Sequence, residues 1–250
     1  MNGPCTAKVD SPTLPPVESA AESLRKVQLA LSGGSAQDDL IAAITLQSCA
    51  HADKMANDLV QGRDAMKWLP AEVRKILDKF PRISDEQIDR AQREQRRCQV
   101  FDAATLASRG DLFRKAFEGH AEGAAGPYLQ WLKTDGATDK PDPVLIARVQ
   151  AAVRADAQGA DLATLGSFAF GGRYTADQTG ADPVQAHAYK EAYFRIVEEG
   201  SPGQAASARD LASKIASLGP AEPALAPQQQ QDAEALTDQI VKAWHRRQHP

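Results

Sequence analysis

Apolar residues recur along the chain at intervals of three and four, the period of helices that bury one face. Leu24, Val27 and Leu31 form the first such stripe, stopped by Gly33 and Gly34, and Asp38 to Ala52 carries the next. Together the two predict a helical hairpin. Pro70 opens a helix over Ala71 to Phe80, which Pro81 ends. Ser84, with Gln87 three residues on, reads as a capping box for a helix running to about Asp102. Asp142 before Pro143, Asp182 before Pro183 and Ser201 before Pro202 each set a cap ahead of a first-turn proline. The alternation that marks strands is absent outside the ambiguous segment Gly166 to Tyr174. The expected fold class is all-α.

Punctuation divides the chain further. Residues 1–16, with Pro4, Pro12, Pro15 and Pro16, read as a disordered leader. Residues 17–218 form the helical region. Residues 219–231, rich in Pro, Ala and Gln, read as a linker to a C-terminal amphipathic helix over 232–250. That helix carries Ala233, Leu236, Ile240 and Trp244 on one stripe, to be folded back as a cap or offered to another chain. Gly119, Gly159 and Gly200 stand 40 and 41 residues apart. Two readings fit this spacing: antiparallel hairpins stacked as a short α-solenoid, or glycine stops in a helical bundle. Gly200 is expected to be a left-handed stop.

The segment from Ala163 to Gly200 carries Leu165-Gly166, Gly172, Asp182, Ala186, Tyr189, Ala192 and Gly200. In this order it resembles one Sel-one-like repeat of the tetratricopeptide group. Ala169 stands where that family usually has tyrosine, and the loop from Arg173 to Ala181 is longer than its turn. The resemblance implies a non-enzymatic interaction scaffold or adaptor of bacterial type, binding a protein or peptide partner.

Composition narrows the chemistry. With 33 acidic against 29 basic residues the net charge is -4, so no global positive field draws nucleic acid. No apolar run is long enough for a transmembrane segment, and the chain reads as soluble. Cys49 and Cys98 both fall on apolar faces of expected helices. They are either two inert buried thiols or a disulfide, which would point to a periplasmic or exported protein; otherwise a cytoplasmic one is expected. Cys5 lies in the leader, where acylation is an option only if the chain is processed.

Candidate sites are few. Arg90, Arg93, Arg96 and Arg97 crowd one helix, but Glu86 and Asp89 stand four residues before Arg90 and Arg93, the pattern of a solvated face. His245 and His249 lack a third ligand nearby, so no metal is expected. Phe170-Gly171-Gly172-Arg173 lacks the strand-to-helix context of a phosphate loop. Neither a cofactor nor a catalytic residue is assigned. Glu118 and His120, flanking Gly119, form the one acid-base pair a hydrolase would use. Trp131, Tyr189, Tyr193 and Trp244 are the candidate partner-binding residues: aromatics at helical spacing are usually core, and exposure of several would mark a groove. A compact helical inhibitor or immunity-like protein of the cell envelope is the alternative.

Overall fold

The computed structural model describes residues 17–70, 72–73, 83–134, 142–171, 176–217 and 224–248. Among these every regular element is a helix, so the segment 166–169 read as ambiguous is helical. The leader with Cys5, residues 74–80 of the helix expected after Pro70, Gly172, Arg173 and His249 lie outside the described residues.

Local signals set most helix starts. Helix α1 (Ala20–Leu31) begins at Ser19, whose hydroxyl accepts the Glu22 N–H, and α2 (Ala36–Ala65) begins with a capping box of Ser35 and Asp38. Helix α3 (Asp85–Cys98) opens with the Ser84–Gln87 box that the spacing predicts. It ends four residues earlier than expected, because Asp102 instead caps α4 (Ala103–Ala107) by accepting from Thr105 N. Helices α5 (Arg109–Glu118) and α6 (Ala125–Thr134) follow. Asp142 caps α7 (Pro143–Gln158), Asp161 caps α8 (Leu162–Ala169), and after the single-turn α9 (Ala176–Thr179) a box of Asp182 and Gln185 starts α10 (Pro183–Gly200). Ser201 precedes α11 (Pro202–Ala216) but makes no side-chain cap hydrogen bond. Helix α12 (Pro227–Gln248) starts five residues earlier than expected, so residues 227–231 are helix and not linker.

Two long helices organise the packing. Helix α2 is wrapped by α1, α3 and α5, and α10 by α8, α11 and α12. Helices α6 and α7 pack together between these groups, and α12 returns to touch α7 as well as α10. One hydrophobic cluster among the described residues runs from Val27 and Leu46 through Leu112, Tyr128, Val149, Leu165 and Tyr189 to Ile240. Alanine and glycine make the close approaches: a β-carbon on Gly119 would stand 2.6 Å from Ala36 Cβ, which brings the end of α5 against the start of α2.

The helix ends correct the glycine reading. Gly33 does turn left-handed after α1, at φ 95°, and Gly34 N–H returns to the Leu29 carbonyl. After α5 and α7, however, Gly119 and Gly159 keep negative φ, and the left-handed residues are the next ones, His120 (φ 58°) and Ala160 (φ 63°). Ala121 N–H bonds Ala116 O and Asp161 N–H bonds Asp156 O, giving both ends the same six-residue closure. Gly200 is the last residue of α10 and does not have positive φ, so it is no left-handed stop.

A disulfide joins Cys49 of α2 to Cys98 at the end of α3. Beside it Arg97 is buried, against the expectation of a solvated face: its guanidinium bonds Ser23 Oγ (2.8 Å) and Glu94 (2.6 Å), with Glu18 at 3.6 Å. Covalent and charged ties thus hold α1, α2 and α3 at one level. Arg93 and Arg96 face solvent.

Candidate functional site

The four aromatic candidates part company. Tyr189 is fully buried, its ring edge-on to Phe168 at 4.8 Å and its hydroxyl accepting from Gln158 Nε2 at 3.2 Å. Burial holds the phenol above its usual range. It is a core residue and leaves the list of surface contacts. Trp131 is half-buried, stacked on Tyr128 with centroids 6.2 Å apart and seated on Gly110. Trp244 is half-buried on α12, packed against the main cluster.

Tyr193 sits differently. On α10 it meets Phe170 at the end of α8 (5.5 Å) and Phe194 (5.6 Å), and a β-carbon on Gly166 would stand 3.1 Å from its ring. Phe194, Ala169 and Ala212 form a second small cluster here, with Phe170, Tyr193 and Ala208 packed on its rim. Arg209 lies over the Phe194 ring at 4.5 Å and bonds Glu191 Oε2 at 3.0 Å, closing one side.

The helix that roofs this cluster is thin. Helix α11 buries only Ala205 and Ala212, and Pro202, Gly203, Ser207 and Ser213 on it are exposed. Leu211 and Ile215, one turn apart and flanking the Ala208–Ala212 stripe, remain 50% and 36% exposed. Aliphatic side chains of this size are normally worth burying, yet these two stay outside the cluster that Ala208 and Ala212 join. Helical spacing points to Tyr193 but not to these two, because their pattern looks like any amphipathic face until the neighbouring helix is known.

Polar groups converge in one other place. Lys133 Nζ and Gln150 Nε2 both donate to the Gln178 carbonyl, at 2.5 and 2.7 Å, and Arg154 donates to the Thr179 carbonyl. Burial lowers the Lys133 pKa. Lys133 and Arg154 thus meet the negative end of α9, and with Gln150 they tie Gln178 and Thr179 to α6 and α7. The arrangement anchors α9 against α7.

The remaining candidates are ordinary surface groups. Glu118 and His120 are both exposed, and Glu118 pairs with Arg114 at 3.2 Å. His245 pairs with Glu199 at 3.1 Å. Among the described residues no group of three or more His, Cys, Asp or Glu could hold a metal, and no helix is long and apolar enough to cross a membrane. Asp156, in the last turn of α7, has its pKa pushed up to about 6 by burial and by the neighbouring Asp161 carboxylate.

The chain matches no protein-family model, no curated protein and no solved structure.

Proposed function

We propose that this chain is a non-enzymatic interaction scaffold that binds a protein or peptide partner. One observation carries the reading: Leu211 and Ile215 stand in register and exposed on α11, the helix whose Ala208 and Ala212 pack on the cluster rimmed by Phe170 and Tyr193. In this reading the pairs α6–α7 and α8–α10 are stacked antiparallel hairpins of a short solenoid, the Sel-one-like segment being α8 and α10, and α11 and α12 each pack on α10. Gly166 under Tyr193 and Tyr189 against Phe168 are the small-residue and aromatic contacts such a hairpin uses.

A photo-crosslinking side chain at position 211, introduced in the native host, tests this. It should capture one discrete protein band, and Ile215→Asp should abolish it while the far-ultraviolet spectrum stays helical. Equal capture from exposed Gln228 overturns the assignment, as does a band indifferent to Ile215→Asp.

A second reading, a compact helical inhibitor of the cell envelope, is supported by the packing of α2. It is held by α1, α3 and α5 and cross-linked through Cys49 and Cys98, an arrangement suited to an oxidising compartment. Such a protein would bind its target through one end of the N-terminal group and be indifferent to Ile215→Asp.

A further inference from the structure

The two halves of helix α2 are held differently. Helix α5 runs antiparallel along the first half, from Gly119 against Ala36 to Arg109, whose Nε donates to Gln47 Oε1 at 3.0 Å. Helix α1 folds back from the Gly33 turn over the same stretch. The short α4 also touches α2 but buries none of its own residues. From Ala50 to Ala65 α2 runs on for about 24 Å, and among the described residues the helix that lies along this outer half is α3. The two are antiparallel: Cys98 meets Cys49 at one end, and Ile83 and Asp85 meet Gly62 and Arg63 at the other.

This outer pair buries little. Beyond Cys49, α2 buries only Ala52 and Ala56, and before Arg97, α3 buries only Ile88 and Ala91. Leu59, Val60 and Ile83 are half-buried, and the Arg63–Asp85 ion pair is open to solvent. One isoleucine and three alanines do not offset the entropy of ordering two helices. Arg97 secures only the last turn of α3, through Ser23 of α1. What holds the rest is the disulfide at the root of the pair. Every residue of the outer pair lies between Cys49 and Cys98 in the chain, so the bond limits the freedom that the pair would gain on melting.

We propose that Cys49–Cys98 is a redox clasp, whose reduction melts α3 and the outer half of α2 while the rest of the chain stays folded. A dithiol supplies the two electrons and two protons. One of its thiolates attacks a sulfur of the pair, its second thiol resolves the mixed disulfide, and it leaves with its own disulfide closed while Cys49 and Cys98 become thiols. Oxidised, the pair is a rod that carries Trp68, 86% exposed, just beyond the end of α2. Reduced, that ring has no fixed place.

Amide hydrogen exchange read by mass spectrometry tests this in a Cys5→Ser background. Dithiothreitol should raise exchange by about tenfold or more from Ile88 to Glu94 and from Ala56 to Val60, and leave α5, α7 and α10 unchanged. Cys49→Ser combined with Cys98→Ser should show the same pattern without reductant, and reoxidation of the reduced chain should restore the slow rates. Exchange in α3 that is indifferent to reduction overturns the proposal. So does exchange that rises in α10 as much as in α3, which would make the disulfide a staple of the whole fold.

Discussion

The Trp131 ring lies where a side chain on Gly110 would be: an added β-carbon would stand 2.3 Å from Trp131 Cζ2. Helix α5 admits the indole only because that position is bare. Gly110→Ala should therefore destabilise the fold by about 1 to 3 kcal/mol, despite alanine's better helix propensity. Urea denaturation measures this. Combining it with Trp131→Leu should recover most of the loss, and additive losses would show that the indole is not the group in the way.

The left-handed residues after α5 and α7 make a second expectation. His120 is exposed and pays for positive φ without burying anything. His120→Gly should stabilise the protein by about 1 kcal/mol. Gly200, by contrast, has nothing within 4 Å of an added β-carbon and no positive φ, so Gly200→Ala should be neutral or slightly stabilising. Thermal melts of the two variants, compared at one pH, decide both signs.

Cys49 and Cys98 close a loop with a sequence separation of 49. The denatured, unreduced chain should then show one reactive thiol, Cys5, of its three cysteines. Reduction should lower stability by roughly 4 kcal/mol on the chain-entropy account. Three thiols on titration without reductant would refute the pairing.

Asp156 gives the chain a pH dependence. Its carboxyl titrates at about 6 when folded, against an ordinary value of 3.8, so between those values the folded state holds more proton than the unfolded one. The contribution of this group is full below pH 3.8 and is lost as pH rises through about 6. Asp156→Asn should thus stabilise by about 1 to 2 kcal/mol at neutral pH, allowing for partial solvent screening, and by nothing in acid. Denaturation midpoints across that range report it, and an equal gain at both ends would point elsewhere.

Much of the architecture was legible because its signals are local. Ser84 with Gln87, Asp142 with Pro143 and Asp182 with Pro183 cap their helices using residues within one turn. What failed was decided by distant partners. Helix α2 runs on from Ala52 to Ala65 through a stretch without a regular apolar period, where Gly62 lets Ile83 approach. Arg97 looks like one more surface arginine until Ser23, 74 residues away, is seen to receive it. Tyr189 and Tyr193 share a helix and a residue type, yet only the neighbouring α8 determines that the first is core and the second lies at a rim. Of the candidate site, Tyr193 could be read in advance, but Leu211 and Ile215 could not.

Helix α12 finishes what the other elements leave open. Its Ile240 and Ala233 are buried, Thr237 reaches the Ala188 carbonyl, and Arg247 reaches Gly159 O and the Glu122 carboxylate. A ribosome that has translated only as far as α11 carries a nascent chain with one flank of α10 still bare. Sealing of the interior then waits on α12 to emerge, and until it does a chaperone has an oily strip to hold.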